Sequence, residues 1–154
     1  MPDATALNPE LRIEPASEAD RALLFAPFKA ALHDYVDWAW GWDEDKERLH
    51  FFERLPLNGL FKLLHRGQCV GGFCIEKTPG QSRHLRTLFI QPESQGLGIG
   101  TAVLKHLIQG AQRQHLSLTL HVIQINPAKR LYERLGFRTV REEEKTFFMR
   151  LDSR

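Results

Sequence analysis

The spacing of apolar and polar residues changes from a strand pattern to a helical pattern near the start of the chain. Residues 11–15 alternate apolar and polar positions before the chain turns, which predicts a short strand. Helical spacing follows, with Ser17 as the expected N-cap and Pro27 as the expected kink or break. Asp43 is placed to cap a second helix, which the turn at residues 56–59 ends. The front of the chain is therefore predicted to be one strand and two helices.

Strand patterns return in the middle of the chain. Residues 60–64 and 68–76 predict a hairpin, and residues 83–91 predict a third strand after a Pro-Gly turn. Apolar residues then recur at i and i+4 within residues 98–115, which is the spacing of an amphipathic helix. Residues 116–125 predict a buried strand.

The last part of the chain carries clear start and stop signals for a short helix. Asn126 suits the N-cap, Pro127 suits the first helical position, and Gly136 supplies a left-handed stop. Residues 137–140 and 146–151 predict two strands that pair across a charged turn. The predicted order is β-α-α-β-β-β-α-β-α-β-β, which defines an α/β (α+β) fold.

Composition limits the size and class of the protein. The chain has 154 residues, of which 42% are hydrophobic and 26% are charged. These values predict a single domain over residues 1–154, with residues 1–9 as a flexible lead-in, and exclude collagen-like, coiled-coil and wholly disordered chains. The net charge of +2 is too balanced to predict binding to nucleic acid.

Membrane, disulfide and metal chemistry are not indicated by the sequence. The N-terminus lacks a basic flank and an apolar stretch, and no segment approaches the roughly 18 apolar residues of a membrane span, so we expect a cytoplasmic protein. Cys69 and Cys74 fall on one predicted strand with their side chains on opposite faces, so we expect no disulfide between them. The histidines and cysteines have no metal-ligand spacing, so we expect no metal.

A glycine-rich stretch over residues 92–101 connects a predicted strand to the amphipathic helix. Backbone N–H groups at a helix N-terminus have no partner within the helix, and the helix dipole adds positive potential there. Glycine also lets a phosphate approach the backbone closely. The stretch therefore predicts a phosphate or pyrophosphate site, with a plain tight connection between strand and helix as the alternative.

The neighbouring residues distinguish between kinds of phosphate-binding loop. A nucleoside-triphosphate loop would carry a lysine after its last glycine, whereas Gly100 is followed by Thr101 and Ala102. A dinucleotide-binding fold would place an acidic residue about 20 positions after the loop, and the following strand offers His121 and Gln124 instead. Both of these interpretations are disfavoured.

The loop resembles the acetyl-CoA loop of the GNAT family of N-acetyltransferases, which has the form Gln/Arg-x-x-Gly-x-Gly/Ala. Residues 95–100, Gln-Gly-Leu-Gly-Ile-Gly, match every fixed position. Residues 126–137, Asn-Pro-Ala-Lys-Arg-Leu-Tyr-Glu-Arg-Leu-Gly-Phe, are similar to the second GNAT signature, Asn-x-x-Ala-x-x-Leu-Tyr-x-x-x-Gly-Phe, with the alanine displaced by one residue. The chain is identified on this basis as a member of the GNAT family, with specific resemblance over residues 85–140.

The resemblance implies a fold and a cofactor site. The fold is a mixed, mostly antiparallel sheet of six to seven strands flanked by about four helices. The loop amides are expected to hold the pyrophosphate of acetyl-CoA, the preceding strand to pair with its pantetheine arm, and Asn126 to contact that arm. Lys129 is expected to meet an outer phosphate, with a solvated helix face as the alternative. The expected cofactor-binding residues are Phe89, Ile90, Gln95, Gly96, Leu97, Gly98, Ile99, Gly100, Thr101, Asn126 and Lys129.

The resemblance also implies catalytic roles. In this family the amine attacks the thioester directly, so one group accepts a proton from the amine and another protonates the departing thiolate. Tyr132 occupies the family's tyrosine position and is the expected general acid. Arg86 stands where many members carry a glutamate base, three residues before Phe89. The first substitute for the base is Glu76, and the others are His84, His121 and Glu144.

All three tryptophans fall within residues 38–42, next to Tyr35 and Asp43. Aromatic faces attract cations and carboxylates pair with ammonium groups, so these residues predict a pocket for a positively charged amine. In GNAT proteins the segment joining the first two helices borders the acceptor site, which supports that interpretation. The alternatives are a core position, a helix cap or a dimer surface. The expected substrate-binding residues are Tyr35, Trp38, Trp40, Trp42 and Asp43.

The leading expectation is an acetyl-CoA-dependent N-acetyltransferase that modifies a primary amine on a small molecule or, less favoured, on a peptide. A CoA-binding sensor or regulatory module without catalysis is the alternative, because Arg86 replaces the usual carboxylate. A nucleotide-binding domain is a third hypothesis. A homodimer is a further possibility, since the last strands can pair across an interface.

Overall fold

The computed structural model describes residues 4–153 and contains a single mixed sheet. Its strands are β1 (Thr5–Asn8), β2 (Leu11–Pro15), β3 (Leu60–His65), β4 (Gln68–Lys77), β5 (Ser82–Ile90), β6 (Ser117–Ile123), β7 (Arg138–Glu142) and β8 (Thr146–Leu151). Its α-helices are α1 (Asp20–Trp40), α2 (Glu44–Leu49), α3 (Ile99–Arg113) and α4 (Ala128–Arg134). The spatial order is β1-β2-β3-β4-β5-β6-β8-β7. Neighbouring strands are antiparallel except β5 and β6, which confirms the mixed, mostly antiparallel sheet.

The eighth strand is β1, which lies inside the segment predicted as a flexible lead-in. That prediction was wrong for residues 5–8, because their backbone pairs antiparallel with β2 although their side chains are largely exposed. The Asn8 side chain accepts hydrogen bonds from the backbone N–H groups of Glu10 (2.9 Å) and Leu11 (2.8 Å). It thereby shapes the tight turn into β2. Residues 1–3 of the predicted lead-in lie outside the described residues.

The helices cover the two faces of the sheet. One face, called the α3 face below, packs against α3 and α4 around Val103, Leu104, Leu120 and Met149. The opposite face, called the α1 face, packs against α1 and the π-helical turn His50–Arg54 that continues α2.

Helix α1 continues through Pro27, so the predicted kink or break does not interrupt it. Proline removes only one main-chain donor, and the buried side chains of Leu24 and Phe28 anchor the helix on both sides of it. The expected Ser17 cap was also wrong. Instead, the Asp20 carboxylate accepts hydrogen bonds from the Ser17 backbone N–H (2.8 Å) and hydroxyl (3.0 Å).

Helix α2 begins as predicted, with the Asp43 carboxylate accepting a hydrogen bond from the Lys46 N–H at 3.2 Å. The π-helical turn that follows is tied to α1 by the buried Arg21. Its Nη1 donates to the carbonyl oxygens of Phe51 (2.9 Å) and Leu55 (2.7 Å). These bonds satisfy carbonyls that a helix end leaves without partners.

Two β-bulges in the ladders that β4 forms alter which side chains share a face. In the β3–β4 ladder Val70 is an extra residue, and in the β4–β5 ladder Arg86 is. Because of the first bulge, Cys69 packs against the same α1-face cluster as Cys74, so their predicted placement on opposite faces was wrong. Both thiols are free, as expected, since five residues of strand separate them by about 16 Å.

Gly110 offers a direct test of the α3 packing. A Cβ at this helical position would meet only the Arg113 side chain, at 4.0 Å. Because alanine is favoured over glycine within a helix, we expect Gly110→Ala to stabilise the protein by about 0.5–1 kcal/mol. For a chain of this size the melting temperature should then rise by about 1–4 °C in a circular-dichroism melt.

The matched control for Gly110→Ala is Gly72→Ala in β4. A Cβ at Gly72 would lie 2.6 Å from the carbonyl oxygen of Phe61, so this variant should melt below the parent protein. An unchanged or lower melting temperature for Gly110→Ala would contradict the packing described here.

Candidate active site

The candidate site is a gap in the middle of the sheet. Strands β5 and β6 pair only from Ser82 opposite Ser117 to Leu85 opposite Leu120, and then they diverge. The Leu85–Leu120 pair, where the strands separate, is called the vertex of the gap. Beyond it, the facing edges of β5 and β6 form no ladder of backbone hydrogen bonds with each other. A cavity of about 360 Å³ lies at the open end. It is lined by the end of β5, the glycine-rich stretch over residues 92–101 (called the glycine loop), α4 and part of α1.

The glycine loop closes the wide end of the gap. Gly96 and Gly98 have φ values of +79° and +81°, in the left-handed region that favours glycine. A Cβ built on either residue would meet no atom within 4 Å, so this side of the loop is open. The N-terminus of the 15-residue helix α3 follows at once and adds the helix dipole. The loop therefore fits a pyrophosphate group.

Gln95 braces this loop. Its side-chain Nε2 donates to the Ile90 carbonyl (2.8 Å), and its backbone N–H donates to the Pro92 carbonyl (3.2 Å). The Gln95 amide is thus already paired, so the row of amides turned to a ligand begins at Gly96 and not at Gln95.

Most of the expected cofactor-binding residues meet around the cavity. The residues of the expected set that line it are Phe89, Ile90, Gln95, Gly96, Gly98, Ile99, Gly100, Thr101 and Asn126. Leu97 is not in the lining, and 60% of it is exposed at the tip of the loop. Asn126 also accepts a hydrogen bond from the Ala128 N–H (2.9 Å), which caps α4 as predicted.

The structure does not bring Lys129 into the cavity lining. Its ammonium lies 3.2 Å from the Glu133 carboxylate and 4.4 Å from the centre of the Phe147 ring. Arg134, at the end of α4, lines the cavity instead. Sequence reasoning missed Arg134, although its position three residues after the lining residue Leu131 was the available signal.

Tyr132 lines the inner part of the cavity from the α3 face. Only 7% of the residue is exposed, and its ring packs edge-on against Phe137. Burial raises the pKa of Tyr132 to about 12. The phenol is therefore fully protonated near neutral pH and can act as a proton donor.

A cluster of polar side chains occupies the α1 face at the vertex of the gap. Glu76 lies opposite His84 across the β4–β5 ladder, and its carboxylate is 3.6 Å from the Arg86 guanidinium. His84 Nδ1 is 2.8 Å from the Thr119 hydroxyl, and the rings of His84 and His121 are 5.4 Å apart in an edge-to-face arrangement. Two base candidates from the sequence, His84 and His121, are thus neighbours.

The three tryptophans have different surroundings and do not line the cavity. Trp38 and Trp40 lie in the last turn of α1, and only residues 41–43 connect α1 to α2. The Lys145 ammonium lies 4.7 Å from the centre of the Trp38 ring, which joins α1 to the β7–β8 turn. Trp40 is 60% exposed.

Trp42 and Asp43 have structural partners. Trp42 packs against Phe28 and donates from Nε1 to the Glu44 carboxylate at 2.9 Å, while Asp43 caps α2. Hydrogen bonds from Lys29 and Trp42 lower the pKa of Glu44 to about 2. Tyr35 is the one residue of this expected substrate-binding set that lines the cavity beside the loop.

A larger cavity, of about 710 Å³, lies on the α3 face between the C-terminal half of α3 and the sheet. Its lining includes Phe61, Phe73, Leu107 and the base candidate Glu76, which does not line the smaller cavity, but neither the glycine loop nor Tyr132. The smaller cavity is the better candidate for a site, because the open glycine loop and the buried Tyr132 phenol both line it.

The sequence model of the acetyltransferase (GNAT) domain matches residues 47–148, well over half of the chain. The chain belongs to the GNAT acetyltransferase family. Within residues 4–153, no helix is long and apolar enough to cross a membrane. The same residues contain no group of three His, Cys, Asp or Glu side chains arranged to hold a metal ion.

Curated relatives match only part of the chain. It is 37% identical over 68 residues to the human cysteine-rich protein 2-binding protein, which covers 44% of the chain and 8% of that protein. It is 36% identical over 75 residues to the 5-NmdU N-acetyltransferase of Pseudomonas phage PaMx11, which covers 47% of the chain and 52% of that protein. The chain therefore spans a small part of the human relative and about half of the phage relative.

Solved structures share the whole fold at low sequence identity. The PaiA N-acetyltransferase of Thermoplasma acidophilum, solved in complex with coenzyme A, matches with a TM-score of 0.75 and 16% identity over 92% of this chain and 98% of that one. The ribosomal-protein-S18-alanine N-acetyltransferase of Escherichia coli matches with a TM-score of 0.69 and 22% identity over 94% of this chain and 95% of that one.

Proposed function

We propose that the protein transfers the acetyl group of acetyl-CoA to a primary amine by direct attack, with a small-molecule amine as the favoured acceptor. One observation carries this proposal: the open glycine loop and the buried Tyr132 phenol line the same gap between two diverging strands. The loop suits the pyrophosphate, and the unpaired strand edges suit the extended pantetheine arm.

Acetyl-CoA supplies an activated acetyl group as a thioester. The bond between nitrogen and carbon forms as the bond between carbon and sulfur breaks, so nitrogen loses a proton and sulfur gains one. We assign the proton donor for sulfur to Tyr132, because it is protonated at neutral pH and lines the cavity. The amides from Gly96 to Thr101 would hold the pyrophosphate, and Arg134 is placed to meet a further phosphate.

The amine would enter from the α1 face, opposite to Tyr132. The polar cluster around Glu76, His84 and His121 lies there. The Trp38–Lys145 contact lies at the side where the end of α1 meets the β7–β8 turn. Glu76 was the first base candidate from the sequence, and it shares this face with the two histidines.

Calorimetric titration with acetyl-CoA, followed by an acceptor screen that measures release of the CoA thiol, tests the proposal. The panel should contain polyamines and other small amines, a peptide with N-terminal alanine, and 5-NmdU. We expect saturable acetyl-CoA binding and turnover with at least one small amine. Binding without turnover over the whole panel would favour the sensor hypothesis, and no binding at millimolar acetyl-CoA would overturn the proposal.

A further inference from the structure

We propose that the His84 imidazole accepts the proton that the amine loses, and that Thr119 and His121 hold this imidazole in place. The inference rests on the proposed acetyltransferase function and names a base where the glutamate position of the family is occupied by Arg86.

His84 lies close to the point where β5 and β6 separate. It lies in the last part of β5 that is paired with β6, one residue before the vertex, and its partner in register is Thr119. His121 follows on β6, one residue beyond the vertex. A ligand arm that enters the gap from the glycine loop and runs along β5 points toward this vertex. The two imidazoles therefore lie on either side of the vertex, and neither of them is among the residues that line the cavity itself.

His84, Thr119 and His121 lie on the α1 face of the sheet. Cys74 packs in the α1-face cluster, Glu76 lies two residues further along β4, and His84 is its cross-strand partner. Leu118 and Leu120 of β6 point to the α3 face. Because alternate residues of a strand point to opposite faces, Thr119 and His121 point to the α1 face. Tyr132 belongs to the α3-face cluster. The proton acceptor and the proton donor thus approach the gap from opposite faces.

The His84 imidazole has a hydrogen-bond partner across the β5–β6 ladder. The Thr119 hydroxyl lies 3.5 Å from the Arg83 carbonyl, to which it donates, and 2.8 Å from His84 Nδ1. A hydroxyl has one proton, so a Thr119 that donates to the carbonyl accepts from Nδ1–H. We assign this tautomer to His84, in which the lone pair on Nε2 is the proton-accepting position.

Burial, more than the charged groups around it, keeps His84 in the neutral state that a base needs. Facing it are Glu76 on β4, Arg86 on β5 and His121 on β6. Burial, followed by the neighbouring His121, lowers the pKa of His84 from its ordinary value near 6.5. The imidazole is therefore neutral at pH 7 and ready to accept a proton.

Glu76 is less suited to this role than His84, because its carboxylate faces the Arg86 guanidinium at 3.6 Å. An imidazole, which titrates near pH 6.5, is also a stronger base than a carboxylate, which titrates near pH 4. His121 is the route by which the proton leaves: it is more exposed than His84, and its Nε2 lies 3.2 Å from the Glu143 carboxylate.

The proton balance is complete with these groups. As the nitrogen–carbon bond forms, the nitrogen proton passes to His84 Nε2. As the carbon–sulfur bond breaks, the Tyr132 hydroxyl proton passes to sulfur. His84 then returns its proton to solvent past His121, and Tyr132 regains one from solvent, which leaves an amide and a thiol.

The test compares His84→Gln with the parent protein and with His106→Gln, a histidine of α3 outside the site. We expect His84→Gln to lower kcat by about 100-fold or more, as loss of a general base does, with unchanged acetyl-CoA binding in calorimetry. His106→Gln should match the parent. In the parent, kcat/KM should fall as pH drops through the pKa of His84, below about 6.5, and NMR titration of that imidazole without cofactor should give the same midpoint.

Thr119 is tested as a positioning residue. Thr119→Val should lower kcat more than it raises the KM for the amine and should shift the acidic limb of the pH profile. Thr119→Ser, which keeps the hydroxyl, should restore both.

Three outcomes would overturn the assignment while leaving the acetyltransferase function intact. These are a folded His84→Gln protein with parent kcat, a larger kcat loss in Glu76→Gln than in His84→Gln, and an NMR midpoint for His84 that differs from that of the parent pH profile. Absence of acetyl-CoA binding by the parent protein would instead overturn the proposed function itself.

Discussion

Replacing Gly98 by glutamate is expected to weaken acetyl-CoA binding by at least about 100-fold, or about 2.7 kcal/mol, in calorimetric titration. A Cβ at Gly98 meets no protein atom within 4 Å, so the new side chain would extend into the open space beside the loop amides. Its carboxylate would then occupy the place of the pyrophosphate and repel it. The loss should be smaller at high salt, because screening weakens the repulsion between charges.

The control for this variant is Gly98→Ala. It has the same unfavourable backbone conformation, since φ at this residue is +81°, but it adds neither a long side chain nor a charge. We expect Gly98→Ala to lower the melting temperature about as much as Gly98→Glu and to bind acetyl-CoA far more tightly. Equal affinities for the two variants would show that strain alone is responsible and that the phosphates lie elsewhere.

Tyr132→Phe should lower kcat by about 100-fold or more, the usual effect of removing a general acid, while the affinity for acetyl-CoA stays within a few-fold of the parent value. The substitution removes only the hydroxyl from a ring that packs against Phe137, so the α3-face core should remain intact. Steady-state kinetics with the best amine of the screen, together with calorimetry, measure the two quantities separately.

The other tyrosine of the chain, Tyr35, lines the same cavity and provides the matched comparison. Its phenylalanine variant should change KM for the amine more than kcat. A fall of kcat in Tyr35→Phe equal to that in Tyr132→Phe would remove the basis for assigning the proton donor to Tyr132.

The pKa of Tyr132 also sets a pH dependence. Because this pKa is raised to about 12, the donor stays protonated as pH rises, and kcat should show no decline from Tyr132 between pH 7 and 10. The unfolded chain releases this proton near pH 10 and the folded chain does not, so the free energy of unfolding should fall as pH rises from 10 toward 12. Tyr132→Phe should lack this contribution to the fall.

Elements whose boundaries depend on local chemistry could be predicted from the sequence. The Asp43 cap, the Asn126 cap and the Gly136 stop each depend on one residue type in one backbone conformation, and all three lie where expected. The apolar i, i+4 spacing of α3 depends only on which side of the helix is buried. The glycine loop was likewise recognisable, because its positive φ angles require glycine.

Features that depend on distant partners could not be predicted in this way. Strand β1 pairs with the edge of β2, and its four residues, of which Leu7 packs against the α3-face core, are too few to predict a strand by their pattern. The bulges at Val70 and Arg86 arise from pairing between strands, yet they decide which side chains share a face. The closeness of His84 to His121 requires the parallel pairing of β5 with β6, which segments 35 residues apart do not reveal by spacing.

Because the β5–β6 ladder is short, an extended ligand bound between these two strands would become part of the sheet. Four residue pairs join β5 to β6, whereas seven join β4 to β5 and six join β6 to β8, so the centre of the sheet is held more weakly here than at either neighbouring ladder. Such a ligand would form hydrogen bonds with backbone groups of β5 and β6 that are not paired with each other in the gap. It would act as a ninth strand that can leave the sheet. Amide hydrogen exchange along the two facing strands would then slow on binding, reporting occupancy of the gap before any acetyl group is transferred.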